Sequence, residues 1–290
     1  MSDALRVTAP ASSANLGPGF DSMALALDLR NEVVIEPADG VPPQVEVTGE
    51  GVDEAPQGRG NLFLRAFVAG GGDPAGLRFR MRNRVPFARG LGSSAATIVA
   101  GLAAADAWRE HPHRDLLGLA AELEGHPDNV AAALNGGMTL AWTGPHGPSA
   151  IGFGVPEVSF VVVVPEQRLS TAAARAALPA EVPHADAVHT ATRAALLVAA
   201  IGSADAELLR DALDDRLHEP YRAPLAPLLA AVRERVAGNP AVYGATLSGA
   251  GPSVLVWCEP DGDEHVAKLV ELPGASASPL AVAEHGVSVD

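Results

Sequence analysis

A two-domain protein of mixed helices and strands is the fold class this sequence predicts, on three observations. The chain has 290 residues, enough for a sizeable core and for two domains. Strand-like alternation and apolar runs of helical length recur through both halves. The stretch 144–154 is rich in Gly and Pro and makes the best boundary, dividing the chain into residues 1–152 and 153–290.

Taken in order, residues 5–9 alternate as a strand, which the turn-forming stretch Pro10 to Asp21 breaks into a polar loop carrying Asn15 and Asp21. Strands follow at 23–29, 32–37 and 45–48, then an exposed loop at 50–60 and a short helix at 61–69. Residues 77–85 alternate apolar side chains with Arg78, Arg80, Arg82 and Arg84, a half-buried strand with one solvated basic face. That strand leads into Pro86-Phe87-Ala88-Arg89-Gly90-Leu91-Gly92-Ser93-Ser94-Ala95-Ala96. Gly90 and Gly92 permit a sharp turn and a close approach to a ligand, and Ser93 and Ser94 suit a helix cap. The run of small apolar residues at 95–107 reads as a buried helix, whose start offers unpaired N–H groups and partial positive charge to an anion.

Next come the loop His111-Pro112-His113, which has no third metal ligand near it in sequence, and a helix at 116–124. Gly125-His126-Pro127-Asp128-Asn129 breaks that helix before another at 130–134. Glu122 and Glu124 are two residues apart, about 200° around a helix axis, so only one of them can face a bound phosphate. The second half opens on a fully apolar strand at 158–165 and a helix at 169–178 containing Arg175. Helices at 185–202, 204–213 and 225–237 follow, with Arg222 between the last two. Strands at 242–247 and 253–258 flank Ser248-Gly249-Ala250-Gly251-Pro252, and a helix at 262–272 precedes strands reaching to 289.

Composition narrows the function. A net charge of −15 argues against nucleic acid or an anionic membrane as the main partner. A polyanion must then be held locally, by backbone amides, arginines and a metal. Lys268 is the only lysine, which excludes a Walker-type phosphate loop and the lysine-dependent protein-kinase layout. The lone Cys258 sits in an apolar run and reads as a small core residue in a reducing compartment. With no secretory signal at Met1–Arg6 and no membrane-spanning run, a cytoplasmic location is expected. No Gly-x-Ser-x-Gly surrounds Ser93, Ser94 or Ser248, so a serine hydrolase is set aside.

The stretch from Pro86 to Ala96 resembles the phosphate-loop motif of the GHMP small-molecule kinase superfamily, and Gly244-x-x-x-Ser248-Gly249-x-Gly251-Pro252-Ser253 resembles its third motif. Ser13-Ala14-Asn15-Leu16-Gly17-x-Gly19-Phe20-Asp21 and His126-Pro127-Asp128-Asn129-Val130-Ala131 are similar to the homoserine kinase branch, and the likeness spans essentially the whole chain. The resemblance implies an α+β fold of two domains, the first ribosomal-protein-like with a left-handed βαβ crossover and the second ferredoxin-like. It implies a cleft between them where ATP phosphorylates the side-chain hydroxyl of L-homoserine, on the route to threonine.

Carried over by motif, Pro86, Phe87, Ala88, Arg89, Gly90, Leu91, Gly92, Ser93, Ser94, Ala95 and Ala96 bind ATP. Ser94 and Glu122 hold Mg²⁺, with Glu124 as the alternative because the segment before Asp128 is short. Asn15, Asp128, Asn129 and Thr171 surround the reacting end, and Asp21, Gly249, Arg175 and Arg222 complete the amino-acid site, the two arginines sharing its carboxylate. Asn129 cannot take a proton, which favours direct attack by the substrate hydroxyl without a dedicated base. A GHMP kinase for another small alcohol and a non-catalytic ligand-binding relative are the alternatives, and a homodimer stays open.

Overall fold

The computed structural model describes residues 4–38, 42–53, 56, 58–108 and 115–290; the His111-Pro112-His113 loop lies outside them. The first half contains strands β1 (Leu5–Ala14), β2 (Met23–Pro37), β3 (Gln44–Gly49), β4 (Leu77–Asn83), β5 (Met138–Gly144) and β6 (Gly147–Phe153). Its helices are α1 (Leu62–Ala69), α2 (Ser93–Trp108), α3 (Leu116–Glu124) and α4 (Asp128–Asn135). Among the described residues these strands join the C-terminal β11 (Ser288–Val289) in a seven-stranded sheet of order β11-β1-β2-β4-β3, with β5 on β2 and β6 on β5.

Two strand boundaries differ from the local pattern. Pro10 does not end β1; the strand continues to Ala14 through a register shift between Pro10 and Ala11. A bulge is where a residue without an N–H costs the ladder least. Residues 23–37 form one long strand instead of two, because β1 pairs along both parts of it. Likewise the Gly/Pro-rich stretch at 144–154 is no loop: β5 and β6 pair from Met138↔Phe153 to Gly144↔Gly147, so only a tight turn remains.

The second half holds β7 (Ser159–Pro165), β8 (Val242–Leu247), β9 (Val254–Cys258) and β10 (Ala275–Pro279) in the order β10-β7-β9-β8, every neighbour antiparallel. Helices α5 (Thr171–Ala176), α6 (His184–Ser203), α7 (Leu209–Ala212), α8 (Glu219–Arg222) and α9 (Leu228–Val236) lie between β7 and β8, and α10 (Asp263–Leu269) between β9 and β10. This is the βαββαβ order of a ferredoxin-like layer. The short α8 is a helix the local pattern misses, and the helix read at 204–213 contracts to one 3₁₀ turn plus α7.

The apolar sequence of β7 has a direct cause, since the sheet is covered on both faces. Val161 and Val163 pack with Leu229, Val232 and Val266 of α9 and α10. Phe160 and Val162 point the other way, with Trp257 and Leu255, into a cluster holding Leu25, Leu27, Leu91 and Met138 of the first half. Phe160 and Trp257 meet edge to face at 5.0 Å. The two halves thus share one apolar core, and the cleft opens beside it.

Candidate active site

The loop 86–92 ends where α2 begins. Ala88, Gly90 and Gly92 have φ of 52°, 78° and 64°, so the backbone enters the left-handed region three times within five residues. Ser93 and Ser94 lie inside the first turn of α2, not at its cap: the Ala96 N–H donates to the Gly92 carbonyl at 2.9 Å, and Thr97 Oγ1 donates to the Ser93 carbonyl at 2.8 Å. The following eleven residues, Ala95 to Ala105, are all buried, which holds the helix start rigidly at the cleft. A Cβ on Gly92 would collide with Ser12 Oγ, and one on Gly90 with the Ser248 carbonyl. The glycines therefore make room for neighbouring parts of the protein as well as for a ligand. Arg89 donates to the carbonyls of Phe87, Pro165 and Glu166, each at 2.8 Å, and so ties the loop to the end of β7.

Pro86 through Ser94 line a cavity of about 420 Å³. Ala95 and Ala96 do not; both are fully buried in the packing of α2. Asn15, Asp21, Asp128, Asn129, Thr171, Arg175, Arg222 and Gly249 line the same cavity, so residues up to 234 positions apart converge on one space.

Glu122 does not join them. It is exposed on the far side of α3, whereas Glu124 lines the cavity and accepts a 2.6 Å hydrogen bond from Ser94 Oγ. The half-turn between the two carboxylates decides this: the packing of α3 against α2 turns position 124 inward. Burial pushes the Glu124 carboxyl above the ordinary carboxylate range, against the pull of the Ser94 hydroxyl.

Beyond Glu124 the chain caps α3 with Gly125 at φ 93° and presents His126 to Asp128, Nδ1 to Oδ1 at 2.9 Å. That hydrogen bond lifts the His126 pKa, opposing the cost of burial. Asp128 Oδ1 also accepts from the Asn129 N–H at 2.7 Å, while Asn129 Oδ1 accepts from Ser12 Oγ at 2.8 Å. His126, Ser12 and Thr97 are site-forming residues that the motif reading leaves without a role. His126 opens the segment His126 to Ala131, and the fold shows its partner to be Asp128.

The loop after β1 is held in an unusual backbone conformation. Asn15, Leu16, Gly17 and Asp21 have φ of 72°, 48°, 76° and 53°, which costs the three non-glycine residues on the order of 1 kcal/mol or more each. Full burial of Leu16 in the shared core offsets this. Asn15 bridges the cleft, donating from Nδ2 to the Gly249 carbonyl at 2.6 Å and accepting the Asp21 N–H at 3.0 Å. Asp21 meets Arg175 as a two-pronged pair at 3.0 and 2.7 Å. Arg175 thus already holds an internal carboxylate, so the two arginines do not both stand open to a ligand. Arg222 is 1 % exposed and reaches the cavity across α8. Its guanidinium donates to His218 Nδ1 at 3.1 Å and lies 5.2 Å from the Phe20 ring centre.

His218 is fully buried, and its Nε2 meets the Gly17 carbonyl at 2.9 Å. An imidazole that accepts from arginine at Nδ1 and donates at Nε2 is neutral. Burial, with Arg222 alongside, pulls its pKa down to about 4, against the pull of Asp215. The unfolded ring takes a proton near its ordinary 6.5, the folded one only near 4. Stability tied to the neutral ring is therefore complete above about pH 6.5 and falls as pH drops towards 4. Melting temperatures measured from pH 7 to pH 4.5 are expected to decline more steeply for the parent than for His218→Asn. Equal slopes would contradict a neutral buried ring.

Two glycine loops meet across the cleft, with the start of α2 and the Ser94–Glu124 pair beside them, and the sequence matches assign this arrangement to the GHMP small-molecule kinases. Residues 61–137 match the profile described as GHMP kinases N terminal domain, and residues 197–270 that described as GHMP kinases C terminal. The homoserine kinase of Streptomyces coelicolor is 43% identical over 97% of this chain and 96% of its own length. That of Streptomyces avermitilis is 44% identical over 99% and 95%. The crystal structure of homoserine kinase from Cytophaga hutchinsonii superposes with a TM-score of 0.88 at 26% identity, covering 100% of this chain and 98% of that one. The chain belongs to the GHMP kinases and, within them, to the homoserine kinase family.

Proposed function

We propose that this chain transfers the γ-phosphoryl group of ATP to the side-chain hydroxyl of L-homoserine, releasing O-phospho-L-homoserine and ADP. The observation that carries the reading is the single cavity in which the start of α2 faces a carboxylate and two arginines suited to an amino-acid head group. Residues 1–152 would then supply most of the nucleotide site and residues 153–290 the arginines. The amides of the loop 90–94 and the helix start hold the phosphates. The nucleoside end falls to the less polar wall formed by Leu62, Met81 and Phe87.

Asp21 would receive the α-ammonium group, freeing the Arg175 fork for the α-carboxylate beside Arg222. The zwitterion replaces an ion pair that the protein otherwise makes with itself. Among the described residues no three His, Cys, Asp or Glu side chains form a metal cage. Ser94 Oγ and Glu124 still fit Mg²⁺, which takes oxygen donors and commonly uses one protein carboxylate together with water and substrate phosphates. When bound, Mg²⁺ neutralises phosphate charge there. Asn129, an amide hydrogen-bonded to Ser12 and Asp128, offers the substrate hydroxyl orientation and no base, so the hydroxyl oxygen attacks the γ-phosphorus as its bond to the ADP oxygen breaks, and the hydroxyl proton passes to the transferred phosphoryl group. A reducing cytoplasm suits the buried thiol of Cys258, whose pKa burial pushes up to about 12.

ADP release coupled to NADH oxidation tests the reading, with ATP, Mg²⁺ and one acceptor at a time. Release that depends on L-homoserine and is not reproduced by shikimate or a hexose supports it. Equal release with those alcohols, or none with any, overturns it.

A further inference from the structure

The remaining buried polar cluster of the cleft centres on His218, which touches both halves of the chain. Its Nε2 donates to the Gly17 carbonyl in the loop after β1, and its Nδ1 accepts from Arg222 at 3.1 Å. Its ring stacks on Phe20, with centroids 4.9 Å apart and planes 19° apart. Phe20 also carries the Arg222 guanidinium near its ring, 5.2 Å from the centroid. The backbone of the segment is pinned independently, because Asp215 accepts from the N–H groups of His218 and Glu219 at 2.8 and 2.9 Å. The imidazole itself is therefore free to serve another purpose than holding α8.

We propose that His218 is the positioning residue that sets the orientation of Arg222 in the cavity, and through it the fit of the substrate carboxylate. Arginine has five donors in a rigid fork, and the fork is useful only when its plane is fixed. Here Nη1 is taken up by His218 Nδ1 at 3.1 Å and the Gly249 carbonyl at 3.5 Å, while Nε leans on the Ala174 carbonyl at 3.4 Å. The two weaker contacts are long, so the imidazole contact is the one that fixes the plane. A neutral acceptor does this without cancelling the guanidinium charge, which an aspartate or glutamate would do. Arg222 can thus be buried, oriented and still cationic. Because the Nε2 contact ends on the Asn15–Asp21 loop, the same ring sets the distance between Arg222 and the loop carrying Asp21.

The inference rests on the amino-acid reading of the cavity, and three variants test it separately from that reading. Asparagine can place its Oδ1 where Nδ1 stands, glutamine can place its Nε2 where the ring Nε2 stands, and phenylalanine keeps the stacking alone. The expected result is a homoserine KM raised roughly tenfold in His218→Phe and His218→Gln, the size of losing one hydrogen bond to a charged group. His218→Asn stays within about threefold of the parent, and in all three kcat and the KM for ATP move less than the homoserine KM. Should His218→Phe fail to fold by circular dichroism, the Asn and Gln pair decides alone. Equal homoserine KM values in those two, or a parent-like value in folded His218→Phe, would overturn the assignment. A parent without homoserine-dependent ADP release would instead count against the functional reading itself.

Discussion

Replacing Arg222 with alanine is expected to raise the KM for L-homoserine roughly 10- to 150-fold while leaving the KM for ATP within a few-fold. The change removes a charge-assisted hydrogen bond to the substrate carboxylate, worth about 1.5–3 kcal/mol, and each 1.4 kcal/mol is about a factor of ten. Burial puts the effect at the upper end, since Arg222 is 1 % exposed and water cannot replace the lost donors well. Arg175→Ala is expected to cost less. Its pair with Asp21 is more than a third exposed on both sides and solvent-screened, and its loss leaves Asp21 available to the ammonium group. Arg222→Lys should recover only part of the affinity, because an ammonium cannot reproduce the fork held by His218 and the Gly249 carbonyl. Steady-state kinetics with each substrate varied in turn is the measurement. A homoserine KM within twofold of the parent in Arg222→Ala would remove the case for carboxylate recognition there.

Glu124→Gln should raise the Mg²⁺ concentration for half-maximal activity about 100-fold and lower kcat, while Glu122→Gln leaves both within twofold. Losing a direct ligand costs at least as much as losing its outer support, which alone costs about 10- to 100-fold in metal affinity. Glutamine keeps the shape of position 124 and still accepts from Ser94 Oγ, so the fold is not the variable. Burial raises the Glu124 pKa, against the pull of the Ser94 hydroxyl and of His126. Titrating Mg²⁺ at fixed ATP in both variants separates the two positions. Indistinguishable titrations would mean that neither carboxylate ligates the metal.

Local chemistry wrote much of this molecule into its sequence. The buried helix read at 95–107 is α2, whose small residues let it pack closely against α1. The helix at 116–124 falls where Asp115 and Gly125 cap it. The strands of the second half follow their apolar runs, because both faces of that sheet are covered. The glycine loops carry the resemblance to GHMP kinases, and the residues of those motifs from Pro86 to Ser94 do line one cavity with Gly249 and Gly251.

Other outcomes depended on pairings between segments far apart in the chain. Pro10 marks a break by local rules, yet β2 pairs on either side of it and the strand continues through a bulge. Residues 144–154 carry the composition of a linker, but alignment with β5 turns them into a hairpin. Glu122 and Glu124 are equal in sequence; the packing of α3 on α2 fixed the rotation that points one inward. Periodicity could place Arg175 and Arg222 only on their elements. That Arg175 meets Asp21, 154 positions away, and that Arg222 is steered by a neutral histidine bonded to Gly17, 201 positions from that histidine, arises only when the two halves close on each other. Most elements and the residues available for chemistry were legible from the sequence, since caps, turns and apolar period act within a few residues; the short α8 and the joined β2 were not. Which carboxylate turns into the cleft and how each arginine is held followed from the tertiary structure, because side-chain direction and burial are set by contacts with no counterpart in local sequence.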